Sequence, residues 1–135
     1  MSAYVTCKTE YRDQESLVAA LKDIGYAEIE VHAQPMALYG YQNDKRPEAA
    51  NVIVRRKFVG HMANDLGFVR SENGSYSAII SEYDQRSTFT EAKQGQLKAR
   101  YAYRQVVKTA KARGYTIASE SKQNGKTKLV LRRFS

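Results

Sequence analysis

The chain has no tryptophan and a single cysteine among its 135 residues. That cysteine, Cys7, excludes a disulfide framework and a cysteine-rich metal site within one chain. No apolar run approaches the ~18 residues of a membrane-spanning helix, and the N-terminal sequence MSAYVTCKTEYRD is too polar for a signal peptide. We therefore expect no membrane contact and a location in the cytoplasm, in the stroma of an organelle or in the cytoplasm of an infected host cell.

The sequence also lacks the signatures of catalysis. It contains no phosphate-binding loop, no Rossmann glycine pattern and no zinc-ligand spacing. Cys7 could act with His32 or His61 as a nucleophile and base only if the fold brought them together. The neighbouring carboxylates of Glu28 and Glu30 fall on the polar side of a predicted strand, where solvation explains them. We predict a protein with no catalytic residues, no cofactor and no bound metal, and hence not an enzyme.

Acidic residues are scarce in the C-terminal third. Residues 1–90 contain 10 Lys+Arg against 12 Asp+Glu, whereas residues 91–135 contain 12 Lys+Arg and only Glu91 and Glu120. The formal net charge of +8 therefore arises from the second segment. This asymmetry indicates an acidic partner, which could be nucleic acid, an anionic surface or an acidic protein. The alternative is a solvated basic surface with no particular ligand.

Apolar residues make up 42% of the chain, which is enough for a core, and the length suits one domain over residues 1–135. Periodicity predicts strands at 3–11, 26–33, 37–42, 51–58, 66–70, 76–81, 115–121 and 126–134, and helices at 14–24 and 90–114. Asp13 is a predicted N-cap, and Gly25 follows the first helix where helices commonly end. Asn73-Gly74 and Asn124-Gly125 predict hairpin turns. Residues 82–88 read as a polar connection.

These elements predict an α+β fold, an antiparallel sheet with two helices packed on one face, near the ferredoxin-like class. The expected core consists of Val5, Leu17, Leu21, Ile24, Ile29, Val31, Val52, Val54, Phe68, Ile79, Tyr103, Val106, Val107, Ala110, Leu129 and Leu131.

The long helix predicted at 90–114 has two different faces. A helical projection places one apolar set together, namely Ala99, Ala102, Tyr103, Val106, Val107 and Ala110. The opposite side carries Arg100, Arg104, Lys108 and Lys111, with Tyr101 at its edge. We expect the apolar face to cover the sheet and the basic face to meet water or an acidic partner.

The basic face is the candidate binding surface, and the last predicted strand adds charge through Lys126, Lys128, Arg132 and Arg133. A row of cations along one helix face can follow a phosphate backbone, and Tyr101 could stack on a base. No recognised nucleic-acid motif accompanies the row. A cationic outer face also suits any helix that lies on a sheet.

Short motifs spread over the chain form a familiar set, namely LKDIGY at 21–26, YAY at 101–103, GYTI at 114–117, NG at 124–125 and LVLRR at 129–133. As a set they resemble the family known as hypothetical chloroplast reading frame thirty-five, which is of unknown function and occurs in cyanobacteria, algal plastids and bacteriophages. The resemblance implies one small α+β domain and a cyanobacterial or phage-like origin. It supplies no catalytic residues.

Two functions are compatible with these patterns. The first is a small non-enzymatic binding or adaptor protein that contacts an acidic protein surface through its basic helix and last strand. The second is a nucleic-acid-binding protein that uses the same basic face. An exposed sheet edge could also pair with a partner or with a second copy of the chain.

Overall fold

The computed structural model describes residues 2–133 and has the predicted α+β architecture. In chain order the elements are β1 (Tyr4–Lys8), α1 (Gln14–Asp23), β2 (Glu30–Tyr39), β3 (Lys45–Val54), α2 (Arg56–Val59), β4 (Leu66–Arg70), β5 (Tyr76–Ser81), α3 (Glu82–Arg86), α4 (Glu91–Ala112), β6 (Tyr115–Gln123) and β7 (Lys126–Arg133). The predicted last strand extends to Phe134, which lies outside the described residues.

The main sheet has five antiparallel strands in the order β1-β5-β4-β3-β2. Strands β2 to β5 follow one another as neighbours; short turns join β2 to β3 and β4 to β5, and a longer connection that contains α2 joins β3 to β4. The connection through α1 carries the chain from β1 at one edge to β2 at the other. Strands β6 and β7 pair only with each other and form a separate two-stranded sheet.

Local signals set the ends of several elements. The side chain of Asp13 accepts a hydrogen bond from the Ser16 backbone N–H at 3.0 Å and caps α1. Gly25 follows α1 with φ of +112°, a conformation that glycine adopts without steric cost. Thr90 caps α4 in the same way as Asp13 caps α1. The predictions for Asp13 and Gly25 are confirmed.

One face of the sheet is covered by α1 and the first half of α4. Leu17 and Leu21 of α1 are fully buried against Val52, Val54 and Phe68 of the central strands. Two residues at and near the start of α4, Phe89 and Leu97, belong to the same cluster. The predicted pair of helices on one face is therefore confirmed.

The opposite face is partly covered by the chain itself. Strands β2 and β3 are long, and their register shifts twice, so the far half of this hairpin bends across the sheet. Leu38 and Ala50 in that half are fully buried with Ile53 and Ile79. Gly67 in β4 lies directly beneath Leu38 and Ala50. A Cβ atom added to Gly67 would be 2.7 Å from the Cβ atom of Ala50.

Three stretches differ from the predicted elements. The strands predicted at 26–33 and 37–42 are one strand, β2, because the bulges let pairing continue past Pro35. The strand predicted at 51–58 ends at Val54, and Arg56–Val59 forms a helical turn. Residues 82–88, predicted as a polar connection, contain α3, whose first turn is capped by Ser81.

Part of the expected core is exposed. Val5, Val31, Val106 and Leu131 have between 38% and 46% of their surface accessible, so their assignment to the core is wrong. Val5 and Val31 lie on the two edge strands, where neighbours cover only one side. Eight expected residues are buried, namely Leu17, Leu21, Val52, Val54, Phe68, Ile79, Val107 and Ala110, and the others, Ile24, Ile29, Tyr103 and Leu129, are half-buried.

Two glycine-to-alanine changes should alter stability in opposite directions. Gly67→Ala should lower the free energy of unfolding by about 1–3 kcal/mol, since its methyl group would overlap Ala50 and Leu38. Gly95→Ala should raise it by about 1 kcal/mol, because Gly95 lies inside α4 with no atom within 4 Å of the added carbon. Urea denaturation of the two variants measures both effects. Equal shifts in the same direction would contradict the packing described for Gly67.

Candidate interaction surface

The basic row of α4 faces α1. Arg104 donates from Nε to Oδ2 of Asp23 at 2.7 Å, and Arg100 donates to the same oxygen at 3.1 Å. One helical turn further on, Lys108 Nζ lies 2.8 Å from Oδ1 of Asp13. Three of the four cations predicted to face outward on the helix are therefore engaged in ion pairs within the chain.

Tyr101 is held by the start of α1. Its hydroxyl accepts hydrogen bonds from the backbone N–H groups of Arg12 at 2.9 Å and Asp13 at 3.0 Å. Its ring packs against Tyr11 with the centroids 4.8 Å apart. These contacts join Tyr101 to the segment before α1, and the stacking role considered for this ring stays a prediction.

The apolar side assigned to α4 points partly to solvent. Ala99, Ala102 and Val106 are exposed, whereas the buried residues of the helix are Leu97, Val107 and Ala110. The helix is rotated from the predicted orientation because α1 already covers the centre of the sheet, and α4 lies beside α1 and follows its carboxylates. The predicted assignment of the two faces is wrong to this extent.

The cations of β7 lie on an exposed hairpin. Lys126, Lys128 and Arg132 share one face of the strand with Val130, since alternate residues of a strand point to the same side. Arg133 lies on the other face, with its guanidinium 5.9 Å from the centre of the Tyr115 ring. Among residues 2–133, no carboxylate lies within ion-pair distance of these four cations.

Lys111 completes the set of predicted binding residues. It is exposed in the last turn of α4, close in sequence to the hairpin, and no ion-pair partner for it occurs in the described part of the chain. The structure thus divides the predicted residues into two groups. Arg100, Tyr101, Arg104 and Lys108 join α4 to α1. The hairpin surface, which we define as Lys111, Lys126, Lys128, Arg132 and Arg133, remains free.

A shallow apolar groove borders the hairpin surface. It measures about 340 Å³ and is lined by Val106 and Ala110 of α4 together with Tyr115 and Leu131 of the hairpin. Val130, on the opposite face of β7, is also 46% exposed. Exposed apolar side chains therefore stand among the free cations on both faces of β7.

A second polar cluster surrounds Arg55. Its guanidinium forms a bidentate ion pair with Glu30, at 2.8 and 2.9 Å, and a third bond of 2.8 Å with the buried carboxylate of Asp65. Asp65 also accepts the backbone N–H groups of Tyr39 and Arg56, both at 2.7 Å. The cluster fixes the bend of β2 and the turn after β3. Its donors and acceptors are occupied by these hydrogen bonds within the fold.

A third cluster, fully buried, joins Asp84 to Asn64 and Ser81. The Asp84 carboxylate accepts the Asn64 backbone N–H at 3.0 Å and the Ser81 hydroxyl at 2.6 Å, and Thr88 donates to its other oxygen. These bonds tie the loop before β4 to the start of α3. Since every partner is a neighbour within the fold, the cluster has a structural role.

Within 2–133 there is no group of three or more His, Cys, Asp or Glu side chains arranged to hold a metal ion. None of the helices in this range combines the length and the apolar character needed to cross a membrane.

The comparisons with known proteins identify a family. Residues 20–130 match the family model described as protein of unknown function (DUF1257). The chain belongs to this family. A search of the curated proteins found no match, and a search of the solved structures found none. The match begins within α1 and ends within β7, and it assigns no activity.

The sequence contained one signal of the α1–α4 contact. Asp13 and Asp23 flank the short helix α1 ten residues apart, and the basic row of α4 covers a similar length. Complementary charges on two helices predict that the helices pair. The helical projection predicted that the basic row meets water or an acidic partner, and it could not identify α1 as that acidic surface because a projection contains no neighbouring element.

Asp23→Asn should weaken the attachment of α4. The hydrogen bond from Arg104, opposed by partial burial and aided by Arg100, holds the pKa of Asp23 below its ordinary value. We expect a loss of about 1 kcal/mol of unfolding free energy at pH 7. Because the folded-state pKa is lowered, the difference from the wild type should disappear as the pH falls through that pKa. Urea denaturation at several pH values tests this, with Glu72→Gln in an exposed turn as the control.

Glu30→Gln should show a similar dependence in a defined pH range. The hydrogen bonds from Arg55, against partial burial, lower the pKa of Glu30 from 4.5 to about 2. The ion pair then contributes about 1 kcal/mol above pH 4.5, and this contribution is lost between pH 4.5 and about 2. Thermal unfolding of both proteins across that range measures the loss. The exposed Glu28→Gln serves as the control, and a gap from the wild type that persists below pH 2 would contradict the assignment.

Proposed function

We propose that this protein is a small non-enzymatic binding or adaptor protein whose hairpin surface docks on an acidic surface of another protein. The observation that carries the proposal is the exposure of the β6–β7 hairpin. Its strands have nine and eight residues, and none of them is buried. A stretch of this length that is ordered although none of its residues is buried is the surface on which we expect a partner to bind.

The energetics of the hairpin support a partner. Fixing a residue's backbone costs about 1–2 kcal/mol, and an isolated two-stranded hairpin is marginally stable in water. This hairpin contacts the rest of the protein mainly where its strand β6 packs against α4. The hydrogen bond of 2.9 Å from the Tyr103 hydroxyl to Glu120 is one such contact. A surface that covered the hairpin would supply the burial that the chain itself does not provide.

The composition of the hairpin surface indicates the chemistry of the partner. Its cations have no carboxylate partners in residues 2–133, so an acidic surface would complement them. Val130, Leu131 and Val106 are exposed beside them. Exposed apolar residues rimmed by charges are typical of protein–protein interfaces. The combination favours an acidic protein with apolar residues at its centre.

Nucleic acid is the second candidate. Lys126, Lys128 and Arg132 lie on one face of a two-stranded ribbon, a shape that the major groove of DNA accommodates. Alternate strand residues stand about 7 Å apart, a spacing that suits contacts along a phosphate backbone. The exposed apolar residues have no role in that mode, which is why we rank it second.

The finer family relationship is part of the proposal. The resemblance to hypothetical chloroplast reading frame thirty-five would place the adaptor in cyanobacteria, plastids or phages. A cytoplasmic, stromal or infected-cell location, expected from the polar N-terminal sequence, is compatible with that resemblance.

Reversing the hairpin charges should abolish partner binding. The variant K126E/K128E/R132E should lose a partner that the tagged wild-type chain retains from a native lysate at about 150 mM salt. The control K22E/K45E/K57E changes the net charge equally at three exposed lysines elsewhere and should keep the partner. Loss by both variants, or by neither, would contradict a specific role for the hairpin.

Nuclease treatment separates the two candidate functions. A protein partner that is retained after nuclease supports the adaptor. If nuclease removes the partner, and the purified chain binds a fluorescent oligonucleotide with an affinity that falls steeply with salt, nucleic acid becomes the main ligand.

A further inference from the structure

The two edges of the main sheet differ. At the β2 edge the register shifts twice, and Pro35 has no backbone N–H to donate to a neighbouring strand. Both features discourage pairing with another strand. At the β1 edge all five residues from Tyr4 to Lys8 pair with β5 in continuous register. No proline or bulge occurs in β1, so its outer side is regular.

The outer side of β1 presents unpaired backbone groups. The Glu82 backbone N–H donates to the Ala3 carbonyl at 2.8 Å, which places Ala3 in a hydrogen-bonded pair of the antiparallel ladder. Such pairs alternate along the strand, so Val5 and Cys7 bond to β5 while Tyr4, Thr6 and Lys8 direct their N–H and C=O groups outward. No backbone partner for these outward groups occurs among the described residues.

A groove begins where β1 ends. It measures about 970 Å³ and lies between residues 8–11 and α4, so Lys8 is the residue of β1 that lines it. Gly95 and Ala102 form part of its helical wall, and Tyr11 and Tyr101 also line it. A Cβ on Gly95 would meet no atom within 4 Å, so the wall leaves room for the side chains of an added strand.

We propose that the β1 edge and this groove bind an extended segment of a partner protein, which adds to the sheet as a further strand beside β1. Its backbone would bond to the outward groups of Tyr4, Thr6 and Lys8. Alternate side chains would enter the groove against α4. This surface is distinct from the hairpin surface.

The groove also defines the chemistry of the segment. Its charged lining is balanced, with Lys8 and Lys98 against Glu10 and Glu91. Gln94 and Gln105 add polar groups, and Tyr11 and Tyr101 add aromatic rings. The segment that fits therefore carries no net charge and places apolar side chains against the tyrosine rings at alternate positions, unlike the acidic partner proposed for the hairpin.

Two pairs of variants test the geometry. Gly95→Leu fills the groove while leaving the helix intact, and Gly95→Ala is its small counterpart. Thr6→Pro removes one outward N–H without touching a bond to β5, and Thr6→Val keeps that N–H. Circular dichroism and thermal unfolding report whether each variant is folded. If Thr6→Pro does not fold, the pair at Gly95 still decides the question.

The probes are peptides of about ten residues, selected on the full chain from a random phage-displayed library. We expect enriched peptides with alternating apolar residues whose binding perturbs the backbone amide signals of Thr6 and Lys8 in NMR spectra. Their affinity should fall by at least about tenfold in Gly95→Leu and Thr6→Pro and stay within about threefold of the wild type in the two counterparts. The hairpin charge-reversal variant should bind them as the wild type does, so this result is independent of the proposed function.

Three outcomes would overturn the inference. The first is that no peptide is enriched. The second is that the enriched peptides are acidic and perturb β7 instead, which would support the hairpin surface alone. The third is that light scattering shows a dimer that Thr6→Pro dissociates, because the edge would then be occupied by a second copy of the chain.

Discussion

The ion pairs between α1 and α4 are the constraint on which the arrangement of the C-terminal half depends. Only three side chains of the 22-residue helix α4 are buried, so apolar packing alone fixes it weakly. Asp23 and Asp13, at the two ends of α1, orient it through Arg104 and Lys108. The β6–β7 hairpin follows α4 directly and packs on it. The contact between α1 and α4, in which these two carboxylates and the Tyr101 hydroxyl take part, therefore sets where the exposed basic hairpin stands.

Much of the fold could be predicted from local patterns. Asp13, Gly25 and Asn73-Gly74 each act within a few residues, and each marks a boundary that the structure has. The long helix is also where its periodicity predicts it. The orientation of that helix could not be predicted in the same way. A helical projection sorts residues by hydropathy, whereas the neighbouring surface, with its acidic α1, decides which side is covered.

Only part of the candidate site could be predicted from the sequence. The scarcity of acidic residues after Glu91 identified the cations of β7 correctly as a charged group. Which cations are paired depends on contacts between residues more than seventy positions apart, such as Asp23 with Arg104. The sequence also gave no indication that β6 and β7 stay outside the main sheet, because strand periodicity does not specify a partner strand.

The unequal edges of the main sheet have a consequence for assembly. A sheet with two regular edges can add one molecule after another and grow into an open-ended filament. Here Pro35 and the shifted register of β2 terminate one side, so every strand added at β1 would complete the sheet. Through the main sheet, copies of this chain would therefore associate no further than a pair joined at their β1 edges.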